Sequence, residues 1–288
     1  MKGWRPVGAP GLRAHRGVWV RAAWLMLVLP GFAAAEAPRI ASLNLCTDVL
    51  LLEAAPSSTA LLLTTLAADP NLSPYAARAS RQARHRGLAE EILAFAPDWV
   101  VAESGQAEVA RAHLARAGLE ILLLPPAADM ATYENNLARV RGRLGIPAAS
   151  PAAPLPAPLP APAPSPETAL VLAGNAYVPG PETLADDLLA AAGLTDARAA
   201  LGVTAGGEIP LETLVLEPPR FLVRSAAANG SQSLAEALLT HRALRRRLGE
   251  EALVPLPESL WICGSQRTRE GVALIAHARL RATGEPAR

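Results

Sequence analysis

The sequence predicts an α/β protein of two similar lobes with parallel sheets, joined by a single linker. A first indication is a unit of short helix, proline and β-strand that occurs twice. A second is the alternation of apolar β-runs with helices of about a dozen residues, which is typical of parallel βαβ units. A third is a proline-rich segment, residues 147–167, that separates the two copies of the unit.

The repeated unit relates residues 87–103 to residues 209–225 by an offset of 122 positions, without a gap. In each copy a carboxylate leads a helical turn, a proline ends it, and an apolar β-run follows. Because this period is too long for a solenoid, the repeat predicts two similar lobes. The aligned pairs include Glu90 and Glu212, Pro97 and Pro219, and Trp99 and Phe221.

Composition limits the classes of function. Apolar residues make up 51% of the 288 residues, which is enough for sizeable cores, and the formal net charge is only +1. With so little net charge, and no Lys/Arg stripe interleaved with aromatic residues, nothing indicates nucleic-acid binding. The basic run Arg242–Arg247 is interpreted as the solvated side of a helix, since cationic helix faces usually meet water.

The amino terminus, residues 1–35, has the pattern of a secretory signal peptide. Basic residues precede the apolar run Ala22–Leu29, and Ala33-Ala34-Ala35 forms an A-x-A site with cleavage predicted before Glu36. An uncleaved anchor is the alternative, but the apolar run is well short of the roughly 20 residues that span a bilayer. We therefore expect an exported, soluble mature protein.

The N-terminal lobe, residues 36–146, is predicted to begin with a strand and a helix that Thr47 or Asp48 can cap. The polar stretch Asp69–Arg86 is predicted to be a loop that carries Tyr75, and His85 is expected at the surface, as are His113 and His241. Besides the repeated unit, the predicted strands are Arg39–Leu45, Thr59–Thr64 and Leu119–Leu124, and the predicted helices are Val49–Ala55, Gln106–Ala117 and Met130–Leu144.

Residues 147–167 are predicted to link the lobes. Pro147–Pro166 consists almost entirely of Pro, Ala, Leu and Ser, and prolines at this density favour polyproline II over an α-helix. The C-terminal lobe, residues 168–288, then repeats the alternation. Its predicted strands are Thr168–Ala173 and Ala252–Leu256, with the second copy of the unit between them, and its predicted helices are Glu182–Ala192 (opened by Pro181), Leu234–Leu248 and Thr268–Arg281.

The motifs of common enzyme classes are missing from the sequence. It contains no G-x-S-x-G, H-E-x-x-H, P-loop or G-x-G-x-x-G, and no two histidines have the close spacing of zinc ligands. We therefore expect a binding protein without catalytic residues, metal or cofactor. A secreted α/β enzyme of unknown class and a transport-inactive envelope interaction module are the alternatives.

Candidate ligand contacts follow the predicted strands, because ligands of parallel α/β sheets collect at the carboxyl ends of strands. Aromatic side chains there could supply flat apolar surface, and polar side chains could supply directional contacts. Trp99 is expected in the core because it lies in the middle of a strand. The candidate ligand-binding residues are Asn44, Leu45, Cys46, Thr47, Tyr75, Glu103, Ser104, Asn175, Tyr177, Arg224, Trp261 and Cys263.

The sequence resembles the periplasmic substrate-binding proteins of ABC importers for cobalamin, iron–siderophore complexes and haem. The segments that carry the resemblance include RIASLNLCTDVLL, GLAEEILAFAPDWVVAE, GNAYVPGPETLADDLLAAAGL, IPLETLVLEPPRFLV and PLPESLWICGSQRT. The resemblance implies two Rossmann-like lobes that flank a ligand cleft. It also implies a periplasmic monomer that captures a metal-chelate or corrinoid nutrient and delivers it to an inner-membrane ABC permease.

The same resemblance implies roles for the two leading glutamates, Glu90 and Glu212, which would dock onto arginines of the permease. A carboxylate near a helix N-terminus also favours the helix dipole without any partner, so this structural role is the alternative.

The cysteines Cys46 and Cys263 are an even pair in an exported chain, so a disulfide between them is permitted. The resemblance places both beside the cleft, where they could be paired, free or in contact with ligand. If paired, they would tie the lobes together and contribute on the order of 5 kcal/mol in the chain-entropy model. The resemblance also implies a long helix between the lobes, where this chain has its proline-rich segment. We therefore expect interface packing or this disulfide to hold the lobes together.

Overall fold

Two parallel β-sheets with helices packed against them form the two lobes of the chain. The computed structural model describes residues 37–147, 167–226 and 241–283, together with Met1 and Gly3. Apart from Met1 and Gly3, the expected signal peptide lies outside these residues, as do nearly all of the linker and the first part of the helix predicted over Leu234–Leu248. Within the described part of the chain, no helix is both long and apolar enough to cross a membrane.

The N-terminal lobe is built on a five-stranded sheet of order β3-β2-β1-β4-β5, in which all neighbours are parallel. Buried Val, Leu and Ile side chains from the sheet pack beneath the helices, and Trp99 lies in this core, as predicted. The elements are β1 (Arg39–Ser42), α1 (Leu45–Ala54), β2 (Ala60–Thr64), α2 (Ala76–Ala79), β3 (Ala83–His85), α3 (Ala89–Phe95), β4 (Trp99–Glu103), α4 (Glu108–Arg116), β5 (Ile121–Leu124) and α5 (Met130–Arg143).

The C-terminal lobe is built on a four-stranded parallel sheet of order β11-β10-β6-β8, and β7 and β9 form a separate antiparallel pair. Its elements are β6 (Thr168–Leu172), β7 (Tyr177–Val178), α6 (Leu184–Ala191), β8 (Thr195–Asp196), β9 (Gly207–Glu208), α7 (Leu211–Leu216), β10 (Phe221–Ala226), α8 (Arg242–Leu248), β11 (Leu253–Pro257) and α9 (Thr268–Thr283).

The sequence repeat corresponds to equivalent positions in the two sheets. In the N-terminal lobe, α3 leads into β4, which pairs with β1 so that Trp99 lies opposite Ile40. In the C-terminal lobe, α7 leads into β10, which pairs with β6 so that Phe221 lies opposite Ala169. Each copy therefore places its strand beside the first strand of its own lobe, which confirms the prediction of two similar α/β lobes.

The start of the first helix was predicted wrongly. The strand ends at Ser42 and α1 begins at Leu45, with Asn44 at the N-cap position. Asp48 does not cap the helix, because its carboxylate accepts hydrogen bonds from the backbone N–H and the hydroxyl of Thr64. Asp48, a residue type that often caps helices, therefore makes a long-range contact between α1 and the end of β2.

Two further boundaries also differ from the prediction. The stretch predicted as a loop, Asp69–Arg86, contains the short elements α2 and β3. Helix α6 begins at Leu184 rather than at Glu182, because Thr183 occupies the N-cap position and its N–H donates to the Asp186 carboxylate at 3.2 Å. Pro181 therefore lies before the helix and does not open it.

Candidate ligand-binding site

A cavity of about 410 Å³ lies where the carboxyl ends of four neighbouring N-terminal strands meet a loop of the C-terminal lobe. The strands β1, β2, β3 and β4 each end at this cavity, as the topology of a parallel sheet requires. The lining residues are Leu43, Asn44, Leu45, Cys46, Thr64, Thr65, Leu66, His85, Arg86, Gly87, Glu103, Gln106, Ala107, Ile262 and Cys263.

The side chains of Asn44 and Glu103 form the polar centre of the cavity. Asn44 donates from Nδ2 to Glu103 Oε2 at 2.7 Å, and its Oδ1 accepts from the Thr47 hydroxyl at 2.6 Å. Burial raises the pKa of Glu103, and the hydrogen bonds from Asn44 and from the backbone of Ala127 partly offset this effect. The amide and the carboxyl are thus held in fixed positions before any ligand arrives.

A second carboxylate near the cavity, that of Asp48, is fully buried. Burial raises its pKa to about 7, although hydrogen bonds from Thr64 and Ser42 act in the opposite direction. Thr64 also lines the cavity. The protonation state of Asp48 is therefore coupled to a residue of the cavity wall.

His85 was predicted at the surface, and this prediction was wrong, since its exposed fraction is 1%. Its Nε2 lies 2.7 Å from the carbonyl oxygen of Ser42 and must donate, while Nδ1 accepts from the N–H of Gly87 at 3.0 Å. Burial lowers the pKa of the ring, which favours the neutral form. Both nitrogens are engaged, so His85 shapes the cavity wall. His113 and His241 are exposed, as expected.

Two apolar side chains from opposite lobes border the same cavity. Leu66, which follows β2, is 49% exposed, and Ile262 of the C-terminal lobe is 38% exposed. Large side chains with so much exposed apolar surface are natural contacts for an apolar ligand face.

The loop that carries Ile262, residues 261–267, is fixed to the N-terminal lobe at several points. The structure joins Cys263 to Cys46 in a disulfide. Gly264 lies so close to the Tyr133 ring that a Cβ atom would be 2.6 Å from that side chain. Arg267 donates from Nη1 to the carbonyl oxygen of Pro74 at 2.8 Å. These interlobe contacts therefore hold one wall of the cavity in place. We call residues 261–267 the clamp loop.

Glu53 of α1 binds the clamp loop by a hydrogen bond at the interface between the lobes. Its carboxylate accepts from the backbone N–H of Gln266 at 2.9 Å and from the hydroxyls of Tyr75 and Tyr133. Burial raises the pKa of Glu53, and the three hydrogen bonds partly offset this effect. Tyr75 therefore supports the interface between the lobes and does not line the cavity.

A second interlobe contact connects α5 to α6. The N–H of Met130 donates to Asp187 at 2.8 Å, and Leu184 is buried within the core of the N-terminal lobe. The described contacts between the lobes therefore include both packing and the Cys46–Cys263 disulfide.

The structure brings only part of the predicted site together. Asn44, Leu45, Cys46, Glu103 and Cys263 line the cavity. Thr47 lies behind Asn44 and is fully buried. Among the described residues, the cavity lining does not include Tyr75, Ser104, Asn175, Tyr177, Arg224 or Trp261.

Trp261, which was predicted in the cleft, is not among the residues that line this cavity. Its side chain packs against the core of the C-terminal lobe, and its neighbour Ile262 takes the place beside the cavity. The residues Leu66, Thr64 and His85 were not selected from the sequence. The rule that ligands collect after strand ends could have identified Leu66 and Thr64, which follow or end β2.

A larger groove of about 600 Å³ lies between residues 70–77 and helix α9. Its charged side chains, Arg267 and Glu270, pair with each other through two contacts of 2.7 Å. We favour the smaller cavity as the ligand site because it lies at the strand ends. Within the described ranges, no group of three or more His, Cys, Asp or Glu side chains is placed to hold a metal ion.

Comparison with known proteins gives a consistent result at the level of the fold. No family model matches the sequence, and no curated protein sequence matches it. A periplasmic haem-binding protein from Pseudomonas aeruginosa superposes with a TM-score of 0.63 at 22% identity, covering 83% of this chain and 91% of that one.

Two other solved structures are similar over comparable lengths. The periplasmic vitamin B12 binding protein of Vibrio cholerae has a TM-score of 0.60 at 14% identity and covers 87% of this chain and 99% of that one. A molybdate periplasmic binding protein of Haemophilus influenzae has a TM-score of 0.61 at 12% identity, with coverages of 86% and 87%. The chain therefore shares the two-lobed α/β fold of these periplasmic binding proteins.

Proposed function

We propose that this chain is a periplasmic solute-binding protein that captures a metal-chelate or corrinoid nutrient and delivers it to an ABC importer. The observation that carries the proposal is the cavity at the ends of β1, β2, β3 and β4, which the clamp loop closes from the other lobe. The fold shared with binding proteins for haem, vitamin B12 and molybdate supports it.

The lining of the cavity indicates the chemistry of its ligand. Leu66 and Ile262 offer apolar contacts from the two lobes, while Asn44 and Glu103 offer fixed polar groups between them. A ligand with apolar faces and a polar edge, such as haem or a ferric siderophore, matches this arrangement. The volume of about 410 Å³ is near the lower end of the roughly 300–1,000 Å³ of small-molecule pockets. A macrocycle as large as cobalamin would therefore project from the cavity.

Delivery to a permease requires a surface that is open to a partner. Glu90 and Glu212 are both exposed, and they occupy the first turns of the equivalent helices α3 and α7. Exposed leucines accompany them, with Leu88 52% exposed and Leu216 75% exposed. We propose that both glutamates dock onto the permease, one from each lobe.

Ligand titration of residues 36–288 tests the proposal. Trp99 and Trp261 are the tryptophans of this segment, and Trp261 adjoins Ile262 in the clamp loop. Haemin, cyanocobalamin and a panel of ferric siderophores are added in turn while tryptophan fluorescence is recorded. We expect one of them to change the emission and to saturate at one ligand per chain.

Matched substitutions locate the site. Leu66→Ser and Ile262→Ser should each weaken binding roughly tenfold, because apolar area in contact with the ligand is lost. Leu274→Ser is the control, since Leu274 is also exposed but lines the larger groove. If only Leu274→Ser weakened binding, the ligand site would be the groove. If no ligand in the panel bound, the proposed ligand classes would be wrong.

A further inference from the structure

The wall of the cavity contains a buried carboxylate that has room for a further partner. Glu103, the last residue of β4, is only 5% exposed and lines the cavity. Its carboxylate accepts hydrogen bonds from Asn44 Nδ2 at 2.7 Å and from the backbone N–H of Ala127. Because an ionised carboxylate can accept about four hydrogen bonds, Glu103 keeps acceptor capacity for a ligand.

The negative charge of Glu103 is not balanced by a neighbouring cation. Both of its hydrogen-bond donors are neutral amides, and within the described ranges no Lys, Arg or His side chain forms an ion pair with it. Burial raises the pKa of Glu103, which means that its ionised form is poorly solvated in the folded protein. A positive charge on a bound ligand would therefore stabilise this carboxylate.

The basic side chains of the cavity lining are placed differently. Arg86 also lines the cavity, but its side chain is 78% exposed and its Nε already lies 3.3 Å from the carboxylate of Glu91. The neighbouring His85 is buried and favours its neutral form. Because water and Glu91 already meet the charge of Arg86, the poorly solvated Glu103 should interact more strongly with a charge on the ligand.

We propose that the cavity selects metal chelates whose polar edge carries a positive charge, with Glu103 as the partner of an ammonium group. This inference rests on the proposed function and specifies the charge of the chelate that the cavity takes. An alkylammonium group has three N–H donors and can bind the carboxylate. The apolar part of the same chelate would then lie against Leu66 and Ile262, which line the same cavity.

A charge series built on one chelate tests the inference. Ferrioxamine B is a ferric trihydroxamate with one primary ammonium group. N-acetylation makes it neutral and N-succinylation makes it anionic, while the iron centre is unchanged. Each chelate is titrated into residues 36–288 and followed by tryptophan fluorescence. We expect the cationic chelate to bind roughly 30-fold more tightly than the acetylated one, because it forms a charge-assisted hydrogen bond. The succinylated chelate should bind most weakly.

Matched variants assign the preference to Glu103. Glu103→Gln keeps the size of the side chain and removes its charge, so it should remove most of the preference for the cationic chelate. Glu108→Gln is the control, since Glu108 is an exposed carboxylate of the same lobe that does not line the cavity. Because salt screens exposed charges, this variant should keep the preference. The series measured on the unaltered chain does not depend on how the variants fold.

Several outcomes would overturn the inference. Equal binding of the three chelates would show that charge is not read, and tightest binding of the succinylated chelate would indicate that Arg86 sets the selection. An undiminished preference in Glu103→Gln would exclude Glu103 as the partner. Failure of all three chelates to bind would also overturn the inference, whereas the proposed function fails only if haemin, cyanocobalamin and the other siderophores are not bound either.

Discussion

The two lobes share one helix–proline–strand unit but contribute to the cavity in different ways. The N-terminal lobe supplies polar groups at the ends of four strands, where Asn44, Glu103 and His85 are held by hydrogen bonds. The C-terminal lobe supplies the clamp loop, of which Ile262 and Cys263 reach the cavity. The difference shows that one lobe arranges the polar groups while the other positions an apolar wall against them.

The two lobes also contribute different groups to the contacts that hold them together. Two carboxylates of α1 organise the N-terminal side. The buried Asp48 accepts a hydrogen bond from Thr64 at the end of β2, and the half-buried Glu53 accepts one from the backbone N–H of Gln266. The C-terminal side contributes a disulfide cysteine and a glycine at a close approach.

Removal of the disulfide should have the largest effect. Cys46 and Cys263 are 217 residues apart in sequence, and closing a loop of this length is worth on the order of 5 kcal/mol in the chain-entropy model. Cys46→Ala/Cys263→Ala should lower the free energy of unfolding by that order, measured by urea denaturation under oxidising conditions. A loss below about 1 kcal/mol would mean that the other interlobe contacts suffice.

The buried carboxylate Asp48 should make stability depend on pH. Its pKa is about 7 in the folded protein against an ordinary value of 3.8 for an aspartate, so the folded state binds the additional proton between these values. The free energy of unfolding should therefore fall as pH rises from about 4 to about 7, by up to about 4 kcal/mol.

Asp48→Asn should flatten this slope, because the amide does not titrate. Urea denaturation at several pH values measures it. Glu217→Gln is the control, since it removes an exposed carboxylate of the C-terminal lobe. An unchanged slope in Asp48→Asn would contradict the assignment of the buried proton.

The close approach at Gly264 should tolerate no side chain. A Cβ atom there would lie 2.6 Å from Tyr133 Cβ, so Gly264→Ala should cost about 1–3 kcal/mol by overpacking the interface. Gly142→Ala in α5 meets no neighbouring atom within 4 Å and should be neutral or stabilising by up to about 1 kcal/mol. Thermal unfolding compares the two. Equal effects would show that the clamp loop can move away from α5.

The docking glutamates should have the smallest effect on stability. Glu90→Ala and Glu212→Ala change exposed side chains, so each should alter the free energy of unfolding by less than about 0.5 kcal/mol. Nutrient uptake by cells that depend on this protein should nevertheless fall in both variants. Normal uptake in the double variant would exclude the proposed docking role.

Sequence patterns predicted the features that depend on local chemistry. Helix-to-strand alternation and the aligned prolines predicted the lobes, and strand ends predicted Asn44 and Glu103 at the cavity. The sequence patterns did not predict the burial and the partners of side chains that depend on long-range packing. His85 is buried because β3 places it within hydrogen-bonding distance of the carbonyl oxygen of Ser42. Asp48 does not cap α1, because its carboxylate accepts a hydrogen bond from Thr64.

The residues of the clamp loop also depend on long-range packing that local sequence patterns do not predict. Tryptophan beside a strand end is a reasonable candidate for a ligand contact, but Trp261 packs against the core of its lobe and its neighbour Ile262 lines the cavity. The sequence leaves the pairing of Cys46 with Cys263 open, because the two residues are 217 positions apart and no local pattern relates them.

Small-angle X-ray scattering of oxidised residues 36–288 tests whether the lobes form one body around a preformed cavity. A compact chain of this length should have a radius of gyration of about 18 Å, and the profile should fit one fixed arrangement of the lobes. A much larger radius, or a profile that requires two independently moving lobes, would show that the lobes do not form one body.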